Sequence, residues 1–202
     1  MTDMTTPALI TFLRGQLSLS DLPEKIELDK HLWQVMDELW QRSIQYIDQR
    51  RVSEWGGVLV LDELDNLKLI NITKGTDQHI SLRIPIQLTF VGSFHTHPYI
   101  DGTTGIAFSG ADIADAINNR EIISIVQSGR DVFVLMGANK VPSQVNRTLL
   151  KYQHTVLHHQ YLSEGMSDRK AVYYANLDIC EAYHLTFYTG QVFSSLWEVY
   201  QP

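Results

Sequence analysis

Residues 87–98 read Gln-Leu-Thr-Phe-Val-Gly-Ser-Phe-His-Thr-His-Pro, an apolar run that leads into two histidines separated by one residue. The β-branched and aromatic residues of this run predict a strand over Gln87–Phe94 that continues into the histidines. Side chains at i and i+2 of an extended strand point to the same face, so His95 and His97 can converge on one ion. An isolated pair of this kind is also compatible with an ordinary surface or core position.

A second polar group follows at short range, in the sequence Ser109-Gly110-Ala111-Asp112. Imidazole nitrogens suit zinc, and a carboxylate such as Asp112 is a natural third ligand. Three protein ligands leave a fourth position for water, which is the arrangement of a catalytic zinc site. Ser109 and Asp112 also match a helix capping box, with Ser109 as the cap and Asp112 three residues on. Both interpretations can hold, because a capped helix start would present Asp112 from its first turn.

The rest of the chain predicts a mixed order of helices and strands. Apolar residues recur at helical spacing over His31–Gln49, which indicates an amphipathic helix. Short apolar runs bounded by turn residues predict strands, and the segment beyond Pro142 returns to helical spacing. The predicted strands cover 58–61, 67–72, 79–84, 121–126 and 131–136, and the other predicted helices cover 109–118 and 171–183, with helical spacing also at 145–156.

This order predicts an α/β class of mixed, α+β character. We expect residues 1–28 to form an N-terminal arm with at most a short helix. Residues 29–140 are expected to form the catalytic domain, and 141–202 a helical C-terminal extension packed on it. The aromatic-rich stretch 188–200 is expected to lie against the core or to contact a partner.

Composition limits the classes of function. The 202 residues carry a net charge of −7, which gives no general attraction to nucleic acid. No stretch approaches the roughly 20 apolar residues of a membrane helix, and the Thr-rich start predicts no secretory signal. Cys180 is the only cysteine, so no internal disulfide can form and a cytoplasmic location is expected. Its position in an apolar helical pattern favours a small buried side chain over a nucleophile.

The two polar groups together resemble the JAMM, or MPN+, metalloprotease motif, which runs His-x-His-Pro, a loop, and then Ser-x-x-Asp. Members of that family also carry a glutamate upstream, just before a glycine-rich strand start. The sequence Ser53-Glu54-Trp55-Gly56-Gly57-Val58 is similar to that element. The resemblance covers about residues 30–140. It implies a curved mixed sheet flanked by helices, similar to that of cytidine deaminases.

The resemblance also implies a role for each site residue. His95, His97 and Asp112 would hold one Zn²⁺ per chain. Glu54 would take a proton from the attacking water and return it to the leaving amine. Ser109 would help to stabilise the oxyanion of the tetrahedral intermediate.

The substrate implied by the resemblance is the C-terminal tail of a ubiquitin-like protein or its conjugates. The expected reaction is hydrolysis of an amide or isopeptide bond, as in a bacterial ubiquitin-like pathway. An extended tail could pair with a strand beside the site by β-addition. The sequence leaves two alternatives open, a non-catalytic interaction scaffold and a peptidase that acts on a sulfur-carrier protein or a small peptide. It gives no prediction of oligomeric state.

Other residues of the chain fit the roles of general base and metal ligand less well. Glu63 is a rival base, but it lies in an acidic turn after an apolar run. His154 and His158 have the spacing of a zincin helix, yet Thr155 stands where that motif needs a glutamate. A solvated helix face that also includes His159 is therefore expected. The loop 98–108 is slightly longer than is usual in JAMM proteins, and its glycine-rich tip is typical of an entrance loop.

Overall fold

A computed structural model describes residues 5–76, 88–137 and 141–200, which form a mixed α/β fold. Five α-helices lie against one eight-stranded mixed sheet within these residues. The helices are α1 (Pro7–Leu13), α2 (Lys30–Ile44), α3 (Gly110–Asn118), α4 (Arg147–Ser163) and α5 (Asp168–Tyr183). The strands are β1 (Lys25–Ile26), β2 (Trp55–Leu61), β3 (Leu67–Lys74), β4 (Thr89–Thr96), β5 (Ile123–Ser128), β6 (Asp131–Met136), β7 (Thr186–Gln191) and β8 (Leu196–Tyr200).

The strands lie in the order β1-β8-β7-β6-β5-β4-β2-β3. All neighbouring pairs are antiparallel except β4 and β5, which are parallel. A parallel pair needs a crossover connection, and here α3 supplies it between the two strands. The end of β4 and the start of α3 therefore lie on one connection, which carries the predicted metal ligands.

Helix α2 is shorter than the helical spacing over 31–49 predicts. It begins after Asp29, whose carboxylate accepts a hydrogen bond from the backbone N–H of Leu32 at 2.8 Å, and it ends at Ile44. A short 3₁₀ turn follows, and Arg50 then adopts a left-handed conformation with φ 55°. The backbone N–H of Arg51 donates to the carbonyl of Tyr46 at 3.1 Å, which closes the turn and directs the chain into β2.

Two apolar clusters cover the two faces of the sheet. Helices α1 and α2 pack on one face against side chains that include Val91, Phe94 and Ile125. Helices α3, α4 and α5 pack on the other face, where Val126 and Phe187 are buried. Alternation along β4 directs His95 to this second face, because it pairs with Val126 and its neighbour Phe94 pairs with Ile125.

The C-terminal segment differs from the helical extension that the sequence predicts. It contains α4 and α5 but then adds β7 and β8, and β7 pairs with β6 over residues 186–191. The prediction of an all-helical extension is therefore wrong after residue 185. Periodicity missed these strands because β7 and β8 are short and only partly apolar.

At the other end of the chain, the N-terminal arm contains α1, and it reaches the sheet through β1, which pairs with β8. The strand predicted over 79–84 lies outside the described residues. None of the helices in the described ranges is long and apolar enough to cross a bilayer.

Candidate metal centre

The structure brings together the three predicted metal ligands. The Nε2 atoms of His95 and His97 lie 3.0 Å apart. The carboxylate oxygens of Asp112 lie 3.5 Å from His95 Nε2 and 3.3 Å from His97 Nε2. Within the described residues, this is the one group of three or more histidine, cysteine or acidic side chains whose ligand atoms cluster closely enough to hold a metal ion.

These three separations fit a zinc ion. Nitrogen and oxygen ligands bind zinc at about 2.1 Å, so two ligands of a tetrahedral site lie roughly 3.4 Å apart. The measured separations of 3.0, 3.3 and 3.5 Å bracket that value. Two imidazole nitrogens and a carboxylate oxygen are also a donor set that zinc prefers.

The backbone carbonyl of Ala107 orients His97. Its oxygen lies 3.1 Å from His97 Nδ1, and since a carbonyl can only accept, the ring proton belongs on Nδ1. Nε2 is then unprotonated and available as a ligand, an arrangement typical of metal-binding histidines. The sequence carried no signal for this contact, because it depends on the path of the loop that precedes α3.

A close approach of β2 fixes the position of His95. Gly56 pairs with His95, and a Cβ placed on Gly56 would lie 2.3 Å from the carbonyl oxygen of Phe94 and 2.9 Å from Cβ of His95. Any side chain at this position would push the two strands apart. Sterics therefore explain why the first residue of the Gly56-Gly57 pair is glycine.

Asp112 has two roles, as the sequence suggests. The backbone N–H of Ser109 donates to its carboxylate at 2.7 Å, and the backbone N–H of Asp112 donates to the Ser109 hydroxyl at 3.2 Å. This capping box fixes the first turn of α3 and turns the carboxylate toward the histidines. Burial alone would raise the pKa of Asp112, but the neighbouring His95 and His97 hold it well below the ordinary value. The carboxylate is thus ionised and ready to bind a cation.

Glu54 lies at the edge of the same site. The pairing of β2 with β4 ends at Gly56 and His95, and Glu54 precedes Gly56 by two residues. The backbone of Glu54 bonds to Gly75 and Thr76, at the end of β3. Glu54 is buried, with 8% of its surface exposed. Burial lowers the pKa of His95, whereas the charges of Asp112 and then Glu54 raise it, and the net shift is upward. The charge of Glu54 thus acts on His95, which places Glu54 in the surroundings of the three predicted ligands.

Glu63 lies far from this site. It is exposed in the turn after β2, at the end of that strand opposite to Gly56. Cys180 is buried inside the second apolar cluster, and burial raises the pKa of its thiol. Neither residue is placed to act with the three ligands.

A half-buried carboxyl that the sequence analysis missed, that of Glu121, bonds to the strand that carries His95. The Ser93 hydroxyl donates to Glu121 Oε2 at 2.6 Å, and Ser93 lies on the same face of β4 as His95. Burial raises the pKa of Glu121, and the hydroxyl groups of Ser93 and Ser124 partly offset that shift. Its signal in the sequence is Ser93 alone, two residues before His95 on the same strand.

A buried polar network joins the C-terminal helices to the loop before α3. The side-chain nitrogen of Asn176 lies 2.9 Å from the carbonyl oxygen of Phe108 and 3.1 Å from Nε2 of His154. Phe108 immediately precedes Ser109, so α4 and α5 hold the segment that presents the capping box. A Cβ placed on Gly110 would lie 2.7 Å from Cβ of His154, which shows how closely α3 and α4 pack.

The sequence predicts that His154 lies on a solvated helix face, but only 7% of its surface is exposed. The prediction is wrong because α4 packs between α3 and α5, a tertiary contact that helical spacing alone does not reveal. His158 lies 2.9 Å from Asp168, and His159 is exposed.

Acid is expected to destabilise the protein through His154. Burial, and then the charge of His158, lower the pKa of His154 to about 4, while Asp112 and the Phe108 carbonyl act weakly in the opposite direction. Because the unfolded histidine binds its proton at pH about 6.5, stability is lost as the pH falls from about 6.5 to about 4. The wild type should lose about 3 kcal/mol more in this window than His154→Gln, which does not titrate.

Urea unfolding followed by tryptophan fluorescence at several pH values measures this difference. All carboxylates and the other histidines are shared by the two proteins, so their titration cancels in the comparison. Parallel stability curves for wild type and variant would show that His154 does not carry the effect.

The loop 98–108, predicted to lie at the entrance, contacts β5 before it reaches α3. The backbone N–H of Gly105 donates to the carbonyl of Ser128 at 3.0 Å, and the N–H of Ile106 donates to the Ser128 hydroxyl at 3.2 Å.

Comparison of the chain with models of known families, with characterised proteins and with solved structures found no significant match.

Proposed function

We propose that the protein is a zinc-dependent metallopeptidase of the JAMM type that hydrolyses an amide or isopeptide bond. The observation that carries the proposal is the convergence of His95, His97 and Asp112 on one point, with the buried residue Glu54 two residues before the Gly56–His95 pair. Two neutral imidazoles and one carboxylate would leave the metal a net positive charge and an open position. That is the composition of a catalytic centre rather than of a closed structural site.

Each residue has a defined task in this proposal. His95, His97 and Asp112 hold the ion, which when bound would lower the pKa of a water molecule and polarise the scissile carbonyl. Glu54 takes the proton of the attacking water and gives it to the leaving nitrogen. The Ser109 hydroxyl accepts a hydrogen bond in the helix cap, so its own proton is available for the carbonyl oxygen as negative charge develops.

The substrate that we propose is the C-terminal tail of a ubiquitin-like protein, free or conjugated. Strand β3 lies at one edge of the described sheet, and its Lys74 end pairs with Trp55, next to Glu54. An edge strand can bind an extended peptide through its backbone groups. A glycine-rich tail has little side-chain bulk, which suits a site lined by strands.

A set of linear fusions tests the proposal. Each fusion joins a ubiquitin-fold protein through its C-terminal tail to a reporter, and mass spectrometry locates any cleavage. We expect cleavage at the last residue of the tail, loss of activity with a chelator, and recovery when zinc is added back. Zinc-loaded, folded protein that cleaves neither fusions nor short peptides would contradict the proposal and favour an interaction scaffold.

A further inference from the structure

A basic pocket lies beside the candidate site in this otherwise acidic protein. It has a volume of about 220 Å³ and lies between the last turn of α2, the turn after that helix, and the paired starts of β2 and β3. Four lysines and arginines line it, and among the described residues of its lining there is no aspartate or glutamate. The four are Arg42, Arg50, Arg51 and Lys74.

None of these four side chains forms an ion pair within the described residues. Aromatic rings hold two of them in place. The guanidinium carbon of Arg42 lies 5.5 Å from the ring centre of Trp55, and that of Arg51 lies 5.4 Å from the ring centre of Tyr46. A stacked guanidinium keeps its N–H edge free, and that edge matches the two oxygens of a carboxylate.

Two further features indicate that the pocket is built for an acceptor. Arg50 adopts a left-handed backbone conformation, which glycine adopts at the least cost. The turn thus carries a cation at a position where the backbone conformation favours glycine. Trp55 also lines the pocket, and its buried indole N–H has no acceptor within the described part of the chain. The donors that face the pocket are thus the guanidinium and ammonium groups, which have no anionic partner among the described residues.

The pocket lies on the α2 face of the sheet, opposite to the face that carries His95, and its lining reaches the edge of the candidate site at two segments. Ser53 and Trp55 line it and flank Glu54 in the sequence, and Ile100 lines it three residues after His97. A polypeptide that extends from the metal ligands past the paired starts of β2 and β3 would reach this pocket. The charge of the pocket would then select substrate residues close to the cleaved bond.

We infer that this pocket binds aspartate or glutamate side chains of the protein substrate, next to the bond that is cut. A phosphate group is a poorer match, because the partial negative charge at the C-terminal end of α2, which the pocket adjoins, repels a dianion more strongly than a single carboxylate. A nucleic acid would meet the net charge of −7 over the rest of the chain. The assignment as substrate recognition rests on the proposed peptidase function, whereas binding of an acidic peptide does not need catalysis.

Fluorescence anisotropy with a labelled peptide tests this inference on the full chain. The probe contains four consecutive acidic residues between glycines, and the control peptide carries glutamine and asparagine instead. The test variant is Arg50→Gly/Arg51→Gln, in which glycine retains the left-handed turn. The matched control is Lys30→Gln/Lys170→Gln, which removes the same charge from exposed positions outside the pocket.

We expect the acidic peptide to bind more weakly as salt is raised, and the test variant to bind it about fivefold more weakly than the wild type. The control variant should bind it as the wild type does. Equal binding of the neutral peptide, or equal weakening in the control variant, would overturn the assignment. So would stronger competition by inorganic phosphate or a thymidine oligonucleotide than by the unlabelled acidic peptide.

The failure of this inference can be told from the failure of the proposed function. A zinc-loaded protein that binds the acidic peptide but hydrolyses nothing contradicts the peptidase and leaves the pocket as a peptide-binding site. A protein that cleaves tail fusions while the acidic peptide fails to bind contradicts the pocket alone.

Discussion

Glu54→Gln is expected to lower the rate of amide hydrolysis about a thousandfold while zinc content stays unchanged. General acid–base catalysis by a placed side chain contributes roughly 10²–10⁴-fold, and glutamine cannot accept the proton. Glutamine has nearly the same shape as glutamate, so the buried position should remain filled. The measurement is the initial rate of cleavage of a fusion substrate, with zinc determined by elemental analysis of the same preparation.

Glu63→Gln is the matched control for this variant. It makes the same chemical change in the exposed turn at the other end of β2, and we expect it to cleave at the wild-type rate. A Glu54→Gln protein that cleaves as fast as the wild type would show that another group moves the proton. Thermal unfolding of both variants would show whether a slow rate reflects lost structure.

His95→Ala/His97→Ala is expected to abolish zinc binding. The wild type should contain about one zinc per chain, whereas Asp112 alone cannot hold the ion against water. Added zinc should also raise the unfolding temperature of the wild type, because a ligand that binds only the folded state stabilises it. The double variant should show neither effect.

His158→Ala/His159→Ala removes two histidines from α4, away from the site, and should keep both the zinc and the thermal shift. A folded wild-type protein that takes up no zinc would contradict the metal centre. Equal zinc in wild type and the His95/His97 variant would place the ion elsewhere in the chain.

The candidate metal ligands could be predicted from the sequence because their placement depends on local backbone geometry. The i, i+2 spacing of His95 and His97 on a strand determines their common face, and the Ser109 and Asp112 spacing matches a helix cap. The structure confirms a mixed α/β fold and brings the three ligands together. Each of these inferences needed only one element and its neighbour in the chain.

Features that depend on distant parts of the chain could not be predicted. The burial of His154 follows from the packing of α4 against α3 and α5, and Ala107 orients His97 only through the path of a loop. The position of Arg42 beside Lys74 depends on the pairing of β2 with β3 after a turn. Periodicity carries no information about such contacts.

The pairing of β1 with β8 brings Ile26 beside Leu196, residues 170 positions apart in the sequence. During synthesis β1 cannot pair with β8 until almost the whole described chain has left the ribosome. Contacts so distant in sequence form slowly, because a long loop has to close before they are made. A circular permutant that joined the two chain ends through a linker would leave only α1 and the turns around it between β8 and β1. That contact would become local, and the order of β2, β4, α3 and β5 would be unchanged.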